Sequence, residues 1–134
     1  MNACGAAVQI ARHAGATVIA TASIGNHGYL KTIGANQLID YRSQAFEEVV
    51  KDVDIVLDLM GGETQRRSWK VLKQGGVLVS PVSTPDAELA KAHGVSAKNF
   101  ATRADGRQLT TIAEMIDCIV CAFEDHATRT NFNL

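Results

Sequence analysis

The stretch VDIVLDLMGG, residues 53–62, is the most apolar run of the chain and decides the class of fold. A short run of Val, Ile and Leu that ends in a glycine turn is typical of a strand buried on both faces of a parallel sheet. On either side of it, apolar strands alternate with amphipathic helices, separated by short Gly-containing turns. Such alternation indicates βαβ units. The sequence therefore predicts an open parallel α/β sheet with helices on both faces, in which residues 53–60 form a central strand.

Apolar periodicity and the signals for helix starts and stops define the predicted elements. Strands are expected at residues 16–22, 37–41, 53–60 and 77–82, with a weaker extended segment at 95–101. Helices are expected at residues 5–14, 27–33, 44–51, 63–74 and 85–93, followed by a long helix from residue 105. The predicted N-caps are Asn26, Ser43, either Ser83 or Thr84, and Asp105, and the predicted stops are Gly15, Gly34, Gly75 and Gly94. Trp69 and Leu72 are expected to face inward.

The composition excludes several classes of partner. The 134 residues are 46% hydrophobic and 20% charged, with a formal net charge of −1, as in one ordinary soluble domain. The balanced charge gives no electrostatic basis for binding nucleic acid, and no run approaches the roughly 18 apolar residues of a membrane span. We therefore expect neither a nucleic-acid nor a membrane partner. The odd number of cysteines and the lack of a secretory leader pattern favour a cytoplasmic location.

Cys118 and Cys121 form a C-x-x-C pair, which allows two interpretations. Such a pair is found in redox dithiols and in halves of zinc sites. A zinc site needs two further ligands, and His126 is the only local candidate. The surrounding run is apolar, which favours cysteines that are buried as small hydrophobic residues. We therefore predict no metal site.

Several runs carry a resemblance to a known family: AVQIA at residues 7–11, GATVIATAS at 15–23, VDIVLD at 53–58 and GGET at 61–64. In this order and spacing they resemble the cofactor-binding domain of the medium-chain dehydrogenase/reductase superfamily, in its zinc-free quinone oxidoreductase branch. The resemblance implies a Rossmann domain that binds a nicotinamide dinucleotide. In the complete enzyme of that family, an N-terminal catalytic domain is joined to it, and hydride goes to a quinone or an activated enone.

The residue at the end of the strand at 16–22 bears on the choice of cofactor. In NAD-binding Rossmann domains an Asp or Glu at this point binds the ribose 2′-hydroxyl. Here Ser23 takes that place, which removes the repulsion against a 2′-phosphate, and Ser23, Asn26 and Tyr41 offer neutral donors to it. The sequence therefore favours NADPH over NADH. Alternatively, Ser23 and Asn26 only form a helix-capping turn.

One cation common in similar family members is missing from this stretch. Relatives often carry Arg or Lys beside the Asn, where this chain has Gly25. His27 or Lys31 are the candidates to substitute for it.

The resemblance assigns two further loops to the cofactor. Met60 and Gly61 match the loop along the ribose and diphosphate, and Pro81 and Val82 match the loop near the nicotinamide. Asp58, in its apolar strand, either orients loop amides through hydrogen bonds or is a carboxylate with a shifted pKa, and we expect the former. No residue qualifies as a general acid or base, so we predict no catalytic residue.

Part of the family pattern is missing at each end. Residues 1–4 align with the family's glycine turn, so the fingerprint is reduced to Gly5 and the first strand is lacking. That strand lies in the middle of the Rossmann sheet, so its loss leaves a gap. We expect the strands at 16–22 and 53–60 to pair directly, or dimerisation to supply strands. Residues 1–117 are assigned to a truncated dinucleotide-binding domain, and 118–134 to the end of the last helix and a polar tail.

Two functional hypotheses follow from these observations. In the first, the chain is the NADPH-binding domain of a zinc-free quinone or enone oxidoreductase, inactive by itself. In the second, it is a non-catalytic assembly module that dimerises through exposed strand edges. Its expected partners are a nicotinamide dinucleotide and further copies of the chain, as a homodimer or a larger homo-oligomer.

Overall fold

The computed structural model describes residues 3–100 and 106–115. The chain divides into two compact units, Met1–Ala101 and Thr102–Leu134. In the second unit, residues 106–115 are helical. The predicted cap Asp105, the C-x-x-C pair and the predicted boundary at residue 117 all lie outside the described residues.

The first unit alternates helices and strands as the sequence predicts. Its helices are α1 (Ala3–His13), α2 (His27–Thr32), α3 (Phe46–Val49), α4 (Gly62–Ser68) and α5 (Ala87–Ala92). Its strands are β1 (Ile19–Thr21), β2 (Gln37–Ile39), β3 (Val53–Leu57), β4 (Leu72–Ser80) and β5 (Ser96–Asn99). Single turns of 3₁₀ helix cover Ile24–Asn26 and Trp69–Val71.

The strands form two parallel sheets. One contains β1 and β2, and the other has the order β3-β4-β5. All pairings are parallel, which confirms the predicted α/β class. One expectation is wrong: β3 is an edge strand in its sheet rather than a central one. Of the two alternatives for closing the gap, the direct pairing of β1 with β3 is not found, and dimerisation stays a prediction. In the described residues no strand precedes α1, so no strand lies between β1 and β3 to join the two sheets.

Apolar side chains join the two sheets where hydrogen bonds do not. Ile39 of β2 is buried together with Val50 and Val71, and Ile19 of β1 and Val53 of β3 pack against them. A second cluster lies between α1, α2 and β1, and a third between the end of α4, β4 and α5. Their buried members are Val8, Ala20, Ala22, Leu30 and Ala35 in the second cluster and Trp69, Leu78 and Ala90 in the third.

The helix predicted at residues 44–51 is only a single turn. The predicted cap Ser43 donates its hydroxyl to the carboxylate of Asp40 at 3.2 Å and does not cap the helix. α3 begins at Phe46 after Ala45, which makes no side-chain cap. A local turn around Asp40 therefore competes with the helix start.

The helix predicted at residues 63–74 ends early. α4 ends at Ser68, and one 3₁₀ turn leads to Leu72, which pairs with Val53 as part of β4. Trp69 is buried as predicted, and Leu72 packs against the same cluster from a strand. Pairing with β3 therefore overrides the helical periodicity of residues 72–74.

The cap of α5 differs from both predicted caps. Asp86 accepts hydrogen bonds from the backbone N–H groups of Glu88 at 2.9 Å and Leu89 at 3.2 Å. Neither Ser83 nor Thr84 caps the helix. The stop at Gly94 is confirmed, since its φ is +65° and the chain turns there into β5.

Candidate functional site

The residues predicted to bind the adenosine end of the cofactor follow β1 and β2. Thr21 is in register with Ile39, so Ser23 and Tyr41 each come two residues after a paired position. The register thus brings the loop after β1 beside the loop after β2, as the sequence predicts.

Ser23 and Asn26 form a closed turn. The side-chain amide of Asn26 donates to the hydroxyl of Ser23 at 3.1 Å, and its backbone N–H donates to the Ser23 carbonyl at 2.9 Å. Asn26 holds the N-cap position of α2, but its side chain does not cap a backbone amide, contrary to the prediction. Each side chain therefore uses only part of its hydrogen-bonding capacity on the other, and both remain at the surface of the loop.

The charged groups near this turn differ in their availability. The Nε2 of His27 lies 3.1 Å from the carbonyl oxygen of Ala22, so the ring is tied to the backbone. The carboxylate of Asp40 accepts the backbone N–H of Arg42 at 3.1 Å and faces its own turn. The Arg42 guanidinium lies 5.8 Å from the centre of the exposed Tyr41 ring. Sequence reasoning missed Arg42, and its position directly after Tyr41 was the available signal.

The residues predicted for the other end of the cofactor follow β3 and β4. Met60 and Val82 are exposed, Pro81 is half-buried, and Gly61 is buried between them. A Cβ at Gly61 would lie 3.4 Å from Cγ2 of Val82 and 3.1 Å from Oγ of Ser83. The two loops are therefore in close contact.

Asp58 organises the loop after β3. Its side chain is 4% exposed, and Oδ1 accepts the backbone N–H groups of Met60 at 3.0 Å and Gly61 at 2.8 Å. Its Oδ2 accepts the side-chain amide of Gln65 at 2.8 Å and the hydroxyl of Ser80 at 3.0 Å. This arrangement confirms that Asp58 orients loop amides, and four donors compensate its burial.

The same network extends to β4 and β5 through residues that sequence reasoning missed. Gln65 also donates to the hydroxyl of Ser83 at 3.0 Å, and Ser83 donates its backbone N–H to the hydroxyl of Ser80 at 3.3 Å. Asn99, at the end of β5, donates to the carbonyls of Ser80 at 2.9 Å and Ser83 at 3.0 Å. The available signal was limited to Ser80, a polar residue at the end of an apolar strand.

A cavity of about 230 Å³ lies beside this network, between α4, the loop after β4 and the start of α5. Its walls include Gln65, Trp69, Ser83 and Asp86. The loop after β4 thus borders an open space on the side of α4.

Two ion pairs shift carboxyl pKa values. The guanidinium of Arg67 donates to both carboxylate oxygens of Glu47 at 2.6 Å, which lowers the pKa of Glu47. The Arg67 guanidinium also lies 4.9 Å from the centre of the Phe46 ring. On the exposed surface of β3 and β4, Lys73 lowers the pKa of Asp54 in the same way. Neither pair is part of the loops above, and the first joins α3 to α4.

Within residues 3–100 and 106–115, no group of three or more His, Cys, Asp or Glu is placed to hold a metal ion. In the same part of the chain, no helix is long and apolar enough to cross a membrane.

Parallel strands flanked by helices, with loops after their carboxyl ends, place the fold in the Rossmann-like α/β class. Residues 33–119 match the family described as zinc-binding dehydrogenase. The chain belongs to this family, within the medium-chain dehydrogenase/reductase superfamily.

Individual relatives agree with this assignment. A protein of Arthroderma benhamiae named "Probable zinc-binding oxidoreductase, mitochondrial" is 32% identical over 127 residues, covering 87% of this chain and 38% of that protein. The quinone oxidoreductase of Coxiella burnetii superposes with a TM-score of 0.76 and 33% identity, over 82% of this chain and 36% of that chain. The Escherichia coli quinone oxidoreductase complexed with NADPH superposes with a TM-score of 0.63 and 26% identity, over 71% of this chain and 33% of that chain. This chain therefore spans less than half the length of these relatives.

Proposed function

We propose that this chain is the NADPH-binding domain of a quinone or enone oxidoreductase that works without zinc. The observation that carries the proposal is the placement of Ser23, Tyr41, Gly61 and Val82, each in a loop directly after a different strand. Loops in these places bind dinucleotides in open parallel sheets. The likeness to a quinone oxidoreductase complexed with NADPH supports the same conclusion.

The loops after β1 and β2 support NADPH over NADH. A carboxylate in place of the Ser23 hydroxyl would repel a 2′-phosphate, and this chain has none there. The nearest acid along the chain, Asp40, accepts hydrogen bonds within its own turn. Ser23, Asn26 and Tyr41 supply neutral donors, and the Arg42 guanidinium lies beside Tyr41. These groups would hold the phosphate of NADPH.

The reduced nicotinamide supplies the hydride when the cofactor is bound. The protein's part is to position it, through the loop of Met60 and Gly61 and the loop of Pro81 and Val82. The described residues do not fit a zinc site, so no step is assigned to zinc. We infer that the chain alone binds the cofactor without turning over a substrate. We also propose that the protein is located in the cytoplasm.

A second candidate function is that of a non-catalytic module that assembles through strand edges. Within the described residues β3 pairs only with β4, and Ile55 and Leu57 on β3 are 67% and 44% exposed. An apolar edge strand readily pairs with another chain. This observation supports a homodimer or a larger homo-oligomer.

Thermal unfolding in the presence of each cofactor distinguishes the two functions. At one hundred times its dissociation constant, NADPH should add about 2.7 kcal/mol to the free energy of unfolding, which raises Tm. NADH at the same concentration should raise Tm much less. If the folded chain shows no shift with either cofactor at millimolar concentration, the cofactor proposal is wrong and the assembly module is favoured.

A further inference from the structure

Gln65 joins the two loops that we assign to the nicotinamide end of the site. It lies on α4 and is 8% exposed. Its side-chain amide carries two hydrogens, and its nitrogen lies 2.8 Å from Oδ2 of Asp58 and 3.0 Å from Oγ of Ser83. One hydrogen therefore reaches the loop after β3, and the other reaches the loop after β4.

The contact with Ser83 lets Gln65 reach the far end of the loop after β4. Ser80 also contacts Asp58, but it ends β4 and precedes Pro81 and Val82. Ser83 follows them, and Gln65 holds its side chain at the far end of their loop, where Ser80 and Asn99 hold its backbone. Both ends of the segment that carries Pro81 and Val82 are thereby bound to the carboxylate network.

We propose that Gln65 is a positioning residue of the dinucleotide site, which fixes the loop of Met60 and Gly61 against the loop of Pro81 and Val82. The proposal rests on the function proposed above. Gln65 acts through Asp58 and Ser83 and is not itself assigned to contact the cofactor.

The chemistry of the position requires an amide. A glutamate here would present a second carboxylate to Oδ2 of Asp58, and the two charges would repel each other. A methionine of similar size would leave Oδ2 with one donor fewer and would remove the amide partner of the Ser83 hydroxyl. An amide donates to a carboxylate and to a hydroxyl at once, without adding charge.

The decisive experiment exchanges donor and acceptor between positions 65 and 58. In Gln65→Glu we expect the dissociation constant for NADPH to rise roughly tenfold, because the loops separate. In the double variant Asp58→Asn with Gln65→Glu, the new amide at position 58 donates to the new carboxylate, and the dissociation constant should return to within about threefold of the original. Gln74→Glu makes the same chemical change at an exposed site and should have no effect. If Gln65→Glu is folded and binds NADPH as tightly as the original chain, the proposal is overturned.

A second measurement does not depend on the cofactor. Backbone hydrogen exchange in the free chain should be roughly tenfold faster at Gly61 and Ser83 in Gln65→Glu, and restored in the double variant. If Gln65→Glu does not fold, Gln65→Met is used, and it should show the same faster exchange. Unchanged exchange at both amides in a folded variant overturns the proposal. If the original chain fails to bind NADPH while exchange responds as expected, the proposed function fails and the link between the loops stands.

Discussion

The backbone of Gly61 adopts a conformation that side chains rarely allow. Its φ and ψ are 72° and −166°, whereas the φ of its neighbour Gly62 is 56°. The angles of Gly61 are essentially restricted to glycine. The φ of Gly62 is that of the left-handed region, which other residues enter at a smaller cost. Gly61 is also packed against Ser83, whereas nothing lies within 4 Å of a Cβ built on Gly62. The two adjacent glycines therefore form a natural comparison.

We expect Gly61→Ala to lower the free energy of unfolding by about 3 kcal/mol, since both strain and crowding oppose the methyl group. Gly62→Ala is the matched control and should cost about 1 kcal/mol. Urea unfolding followed by circular dichroism measures both values. Equal losses would show that the close contact between the two loops does not constrain Gly61.

Ser23 is the residue on which the cofactor preference depends. In Ser23→Asp the new carboxylate repels a 2′-phosphate and can bind a free 2′-hydroxyl. We expect the dissociation constant for NADPH to rise roughly tenfold or more, and that for NADH to stay equal or fall. Ser96→Asp, the same substitution at the beginning of β5, should change neither. Equal weakening of both cofactors by Ser23→Asp would refute the role of Ser23 at the phosphate.

The elements show which local signals can be read from sequence. The glycine stops at Gly15, Gly34 and Gly94 are confirmed, because a positive φ depends on the residue itself. The helix starts predicted at Ser43 and at either Ser83 or Thr84 are wrong, because an N-cap depends on which of several nearby polar groups accepts the bond. The stop predicted at Gly75 is wrong although its φ is +76°, because α4 ends at Ser68 and Gly75 lies within β4. A glycine therefore indicates a turn of the backbone from the sequence alone, but which element ends there, like the cap that starts a helix, required the structure.

The ion pair between Glu47 and Arg67 joins the short helix α3 to α4, beside the contact of Arg67 with the Phe46 ring. Since Arg67 lowers the pKa of Glu47, the pair stabilises the fold fully above pH about 4.5, the ordinary value, and the contribution is lost as pH falls through the lowered pKa. We expect Glu47→Gln to lower Tm by a few degrees at neutral pH and to match the original chain near pH 2. Glu48→Gln, the same change at the exposed residue next to Glu47, is the control and should leave Tm unchanged. A difference in Tm that did not shrink on acidification would assign the effect to packing rather than charge.

In the molecule as a whole, the strand ends that carry the candidate site could be predicted, but the network that holds them could not. The apolar run of β3 and the glycines after it identify the loop at Gly61 directly. Gln65, Ser80 and Asn99 come from three different elements and meet only through the fold. No sequence period relates them, so the contacts of Gln65 and Ser80 with Asp58, and of Asn99 with Ser80, had to be observed.

The division into two sheets predicts how copies of the chain behave in solution. We expect association that increases with concentration in sedimentation velocity, driven by the exposed edge of β3. Ile55→Lys should reduce it, because a lysine on an edge strand opposes pairing. Val49→Lys, an equally polar change on the exposed face of α3, should leave it unchanged. A strict monomer at every concentration would exclude the strand-edge assembly.

The order of strands within the two sheets also bears on the route by which the chain folds. Each hydrogen-bonded strand pair joins strands that are consecutive in sequence: β1 with β2, β3 with β4, and β4 with β5. Ladders between neighbours in sequence close short loops at low entropic cost, which speeds folding. We expect each sheet to form independently, and the cluster around Ile39 and Val71 to join them last. Substitutions in that cluster should therefore accelerate unfolding more than they slow folding.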